Sequence, residues 1–168
     1  MNRSTWIVVL ATMLVTGCST KERAGGNADS SSMIDRGRYL VKVAGCNDCH
    51  TRDYIFKAGD VPEQNWLQGD TLGWNGPWGT TYAPNLRIRM QSFTEEQWLQ
   101  YAAGAQLRPP MPWYALRQMS PDDLRAIYRF IRTLAPVGEP APPALAPGAE
   151  PPMPYFKLVL PEQPPPGN

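Results

Sequence analysis

The chain has 168 residues, enough for one domain with tails. It carries 16 Lys+Arg, 15 Asp+Glu and a single His, and loss of an N-terminal leader containing Arg3 would leave its charges balanced. That balance argues against a nucleic-acid partner, which requires a basic surplus. Of the 19 prolines, 11 lie beyond residue 139, so composition separates a Pro-rich tail (138–168) from a globular middle.

Asn2-Arg3 forms a short basic start, and Trp6 to Val15 gives ten mostly apolar residues. A bilayer span needs about 20, so this run is expected to be the apolar core of a secretory signal. It closes on Val15-Thr16-Gly17-Cys18, which resembles a bacterial lipobox. The resemblance implies a signal peptide over 1–17, cleavage before Cys18 and a diacylglycerol on the Cys18 thiol. Ser19 after the cysteine implies sorting to the outer membrane of a Gram-negative envelope. The alternative is an ordinary signal peptide with an incidental cysteine. With Cys18 lipidated, Cys46 and Cys49 remain as a pair and no thiol is left over. Residues 18–32 are small and polar, and are expected to form a flexible tether.

Helix signals begin at Ser32. Ile34, Leu40, Val41 and Ala44 follow a helical repeat from Met33, and Gly45 stops it. Residues 51–93 hold Gly, Asn, Pro and three Trp with no sustained period. They read as one long loop whose aromatics (Trp66, Trp74, Trp78, Tyr82) suit wrapping around something. Thr94 with Gln97 three residues on predicts a capping box and a second helix ending at Gly104. Ser120-Pro121-Asp122-Asp123 predicts a third start, and Leu124, Ile127, Tyr128, Ile131 and Leu134 form its amphipathic stripe. No strand signal stands out. Three helices and large loops are too little for a self-sufficient core, so the domain calls for a large apolar ligand.

Cys46-Asn47-Asp48-Cys49-His50 is C-x-x-C-H, the haem c attachment signature. On one helical turn, residues i, i+3 and i+4 share a face. Two thiols can therefore reach two vinyl groups while the adjacent imidazole reaches the iron, for which it is an axial ligand. Three other readings compete. A structural zinc site lacks a second ligand pair, a thioredoxin-type pair lacks its βαβ setting, and a disulfide across two residues is strained.

Gly37-Arg38-Tyr39-Leu40 leading into CNDCHT, then Ala83-Pro84-Asn85-Leu86, Met111-Pro112 and DDLRAIYRFIRTL, together resemble class I cytochrome c. They are most similar to the cytochrome c subunits that accompany bacterial alcohol and sugar dehydrogenases. The likeness covers roughly residues 33–137. It implies an all-α class I cytochrome c fold, three main helices and long loops wrapped around one covalent haem c. It also implies that the Pro84 carbonyl accepts the Nδ1 hydrogen of His50, fixing the ring. Those subunits commonly carry three haem motifs where this chain has one, and Arg87-Ile88-Arg89-Met90-Gln91-Ser92 replaces a longer segment.

His50 being the only histidine, bis-histidine ligation within the chain is excluded. Met1 and Met13 leave with the signal, Met33 opens the first helix and Met153 lies in the tail. Met90 reads as packing, and Met119 as a staple onto Leu124 beside the Ser120 cap. Met111 sits in Pro109-Pro110-Met111-Pro112, where prolines hold the backbone extended. A stiff segment can present a thioether at a fixed place, and the resemblance puts the axial methionine there. A methionine merely packed in a Pro-rich loop is the alternative.

These features predict an electron carrier on the periplasmic side of the envelope, membrane-held through its lipid. Its expected partners are redox proteins: a dehydrogenase, an oxidase or another cytochrome. A haem enzyme of peroxidase or sulfur-oxidising type, or a haem sensor, would instead need a displaceable sixth ligand. Residues 46–80 carry 2 basic and 5 acidic groups and residues 86–135 carry 7 and 4, a dipole able to orient docking. The tail is expected to be polyproline-like, with one apolar run, Tyr155 to Leu160.

Overall fold

The computed structural model describes residues 26–161, with side chains from residue 30. The expected signal peptide and Cys18 lie outside the described residues. Helix α1 spans Gly26–Val43, so it begins before the expected start and takes in the last part of the expected tether. No Gly or Pro interrupts residues 27–36, and a helix already nucleated by packing propagates through such a stretch. Gly45, at φ 71, turns the chain into α2, Cys46–His50.

The segment predicted as one long loop is more ordered than that. After a 3₁₀ turn at Glu63–Asn65 come strands β1 (Gly73–Gly76) and β2 (Gly79–Tyr82), then α3 (Leu86–Arg89). α4 (Glu95–Gly104) starts where predicted: Thr94 Oγ1 accepts from Gln97 N at 3.2 Å, and Gln97 Oε1 accepts from Thr94 N at 2.9 Å. The Pro-rich stretch is followed by an unexpected helix, α5 (Trp113–Gln118). α6 (Pro121–Thr133) has Ser120 as its cap and buries Leu124, Ile127, Phe130 and Ile131. The tail then adds β3 (Tyr155–Lys157).

The all-α expectation is therefore corrected. β1 pairs antiparallel with β2 and parallel with β3, giving a three-stranded mixed sheet in the order β2-β1-β3. Gly-Trp-Asn-Gly and Gly-Thr-Thr-Tyr are short and glycine-rich, with little of the alternation that announces a strand. β3 borrows its partner from half the chain away, which no local pattern reveals.

The main packing contact is α1 against α6. Gly37 lets the helices touch, since a Cβ there would fall 2.0 Å from the Ala126 carbonyl oxygen and 2.7 Å from Phe130 Cβ. Arg36 Nε bonds Asp123 across the same crossing at 2.9 Å, and this bond holds the Asp123 carboxyl below its usual range. Among the described residues no helix is long and apolar enough to cross a membrane.

Candidate functional site

A cavity of about 330 Å³ opens between α2, the β1–β2 hairpin, the 83–90 segment and helices α4 to α6. Cys46, Cys49 and His50 line it from one side, because α2 puts i, i+3 and i+4 on one face. Met111 lines it too, from the loop before α5. The structure thus brings together around one space all five residues expected to hold a cofactor, Pro84 included.

The His50 ring is fixed. Its Nδ1 lies 2.8 Å from the Pro84 carbonyl oxygen; a carbonyl only accepts, so Nδ1 carries the hydrogen. Burial lowers the pKa of His50, outweighing the Pro84 bond that raises it. The neutral ring therefore keeps its lone pair on Nε2, the nitrogen free to bind a metal. Backbone packing sets this geometry. Gly69, at φ 78, donates its N–H to the His50 carbonyl at 2.8 Å, and a Cβ on it would meet Asn85 N at 2.7 Å and Ala83 O at 2.9 Å. Only glycine lets the Ala83-Pro84-Asn85 backbone come this close. Asn85 completes the arrangement: its Oδ1 accepts from Ile88 N at 3.1 Å and its Nδ2 donates to the Val137 carbonyl at 2.9 Å.

Sequence reasoning assigns Gly69 no role and names Asn85 only as part of the Ala83-Pro84-Asn85-Leu86 motif. A glycine amid polar loop residues gives no local signal of what approaches it. Thr51, directly after the motif, is equally silent in the sequence. Its hydroxyl donates to Asn47 Oδ1 at 2.8 Å and accepts from Leu67 N at 2.7 Å, binding α2 to the next loop.

Neither motif cysteine forms a disulfide. Burial pushes the Cys46 thiol up to about 11 and raises Cys49 as well. Both stay protonated near neutrality, unlike the thiolates of dithiol redox motifs. Among the described residues no group of three or more His, Cys, Asp or Glu side chains converges to hold a bare metal ion, so the zinc alternative finds no ligand set there.

Three methionines line this space. Met90 and Met119 line the cavity alongside Met111. Met90 is buried within the apolar core, and Met119 caps the C-terminus of α5 while packing partly against that core. Met119 thus has a second environment besides the expected staple. Met153 is 77% exposed, and Met33 packs on the core away from the cavity.

The lining is otherwise mostly aliphatic and aromatic, with Trp74, Trp98, Leu116, Ile127 and Ile131 among it. Its charged side chains, Arg89 and Arg108, are both cationic. Thr81 Oγ1 is buried there without a hydrogen-bond partner. An apolar cavity with two thiols, a free imidazole nitrogen, cationic side chains and an unmatched hydroxyl fits haem, an apolar macrocycle bearing vinyl and carboxylate groups.

Comparison with known proteins finds partial similarities. The chain is 32% identical over 118 residues to a fructose dehydrogenase cytochrome subunit from Gluconobacter japonicus, a match covering 65% of this chain and 23% of that protein. It is 28% identical over 123 residues to a nicotinate dehydrogenase subunit from Pseudomonas putida, covering 67% of this chain and 10% of that one. The chain thus spans less than a quarter of the length of these curated relatives. No family model matches it, and neither does any solved structure. Both similarities are to subunits of dehydrogenases.

Proposed function

We propose that the protein is a monohaem c-type cytochrome that passes single electrons for a dehydrogenase complex. The observation that carries the reading is the convergence of Cys46, Cys49 and a ring-fixed His50 on one apolar cavity. The cytochrome subunit and the dehydrogenase subunit among its relatives favour this kind of partner over an oxidase.

When bound, haem supplies a one-electron iron couple. The chain supplies everything that attaches and tunes it. Cys46 and Cys49 would hold the group covalently through their thiols. His50 Nε2 would ligate the iron, and the Pro84 carbonyl keeps that ring from rotating and raises its basicity. Met111 would supply a second ligand, whose thioether would favour the ferrous state. Arg89, Arg108 and Thr81 offer donors to carboxylates.

The reading extends to the termini. Residues 1–17 form a signal peptide, Cys18 carries a lipid, and 33–137 form the haem domain on the periplasmic side. A wild-type protein found soluble in the periplasm with a free N-terminus would overturn the anchor.

The ligand assignment is tested by spectroscopy. Met111→Ala is expected to abolish the long-wavelength sulfur-to-iron band of the ferric protein, admit carbon monoxide to the ferrous form and lower the potential. Met119→Ala should leave the spectrum unchanged and cost about 1–3 kcal/mol of stability. The reverse result assigns Met119 as ligand. A wild-type protein that lacks the band and takes up carbon monoxide freely would favour a haem enzyme or sensor.

A further inference from the structure

The Pro-rich tail, which its composition presents as a loose extension, does not run free. Where it leaves the helical domain, Asn85 Nδ2 donates to the Val137 carbonyl at 2.9 Å and to the Glu139 carbonyl at 3.4 Å. Leu145 then exchanges two backbone hydrogen bonds with Thr80, its N–H to Thr80 O at 3.0 Å and its carbonyl from Thr80 N at 3.2 Å. The same carbonyl accepts from Arg108 Nη1 at 3.3 Å, in the loop that carries Met111. The chain passes the hairpin turn so closely that a Cβ on Gly79 would sit 2.2 Å from Leu145 O. It returns on the far side as β3, with Gly73 N bonded to Pro154 O at 3.1 Å and Leu158 N to Asn75 O at 2.7 Å. One segment therefore occupies both edges of the hairpin.

The hairpin needs that support. Its strands are four residues each and contain Gly73, Gly76 and Gly79, and an isolated two-stranded hairpin is at best marginally stable. Trp74 and Thr81 are directly opposed in its register and both line the cavity. Phe156 lies beside Trp74 with ring centroids 4.9 Å apart, and packs in turn on Phe56 at 6.1 Å.

We propose that the tail is a strap holding the Trp74–Thr81 wall of the cavity, with Phe156 and the backbone of Leu145 as positioning residues. The strap also ties that wall, through Arg108, to the loop bearing Met111. Its effect on the iron rests on the proposed haem function, whereas its effect on the hairpin does not.

Two measurements on full-length variants separate these. In Phe156→Ala and Leu145→Pro, hydrogen exchange of the Trp74–Tyr82 amides should accelerate about tenfold or more, with α1 and α6 unchanged. Phe156→Tyr, which keeps the ring, should restore wild-type exchange. The reduced haem protein should then take up carbon monoxide several-fold more readily in Phe156→Ala than in wild type or Phe156→Tyr. Unchanged hairpin exchange in Phe156→Ala overturns the strap, whether or not Leu145→Pro folds. Faster exchange with carbon monoxide uptake unchanged overturns its positioning role. A wild-type protein that attaches no haem overturns the haem reading instead, and the exchange data alone then decide the strap.

Discussion

Arg87 is a buried cation with no carboxylate in hydrogen-bond contact among the described residues. Its guanidinium bonds backbone carbonyls, Nε to Trp66 O at 2.7 Å, Nη2 to Glu63 O at 3.0 Å and Nη1 to Ala135 O at 3.4 Å. It thereby joins the loop after the motif to the end of α6. Arg87→Met keeps most of the volume but strands those acceptors, and is expected to cost roughly 2–4 kcal/mol, since charged hydrogen bonds count for more than neutral ones. A denaturation midpoint within error of wild type would show the carbonyls are otherwise satisfied. Nothing in the sequence separates Arg87 from Arg89 two positions on, which lies exposed against Phe93 and Tyr101. The motif residues were legible because spacing alone dictates a shared helical face. Pro84 was legible only through resemblance, since a proline does not show which donor its carbonyl meets.

At the scale of elements, α4 and α6 could be read because capping is local: an oxygen acceptor, its partner three residues on, then an apolar stripe. α5 escaped because Pro112 immediately before Trp113 looked like a barrier, although proline is tolerated at a helix start. The sheet escaped because its pairing is non-local. Packing between elements hinges on Gly37. Alanine there gains about 1 kcal/mol of helix propensity, but forcing a methyl into the α1–α6 contact costs typically 1–3 kcal/mol. The close approach to a backbone carbonyl places this site at the upper end, so Gly37→Ala is expected to lower unfolding stability by about 1–2 kcal/mol net. A stabilised variant in urea titration would mean that the helices do not meet there.

For the whole molecule, the decisive quantity is the cavity. It spans about 330 Å³ and is lined mainly by apolar side chains, which lose packing partners when nothing fills it. Replacing both Cys46 and Cys49 by Ser should therefore abolish covalent haem and leave a chain without a cooperative melt. A sharp thermal transition in the haem-free double variant would show that the helices close their core unaided. The sheet-built wall on one side of the cavity was not legible in the sequence.

The parallel register of β1 and β3 also sets an order of events. Gly73 pairs with Tyr155, about half the chain further on, so this contact carries a large loop-closure cost and forms slowly. It cannot form at all before the C-terminal residues have emerged during synthesis. Until then the motif, α4 and α6 can assemble while the hairpin lacks its third strand. The topology thus leaves the Trp74–Thr81 wall without its third strand until residues 155–157 have been made.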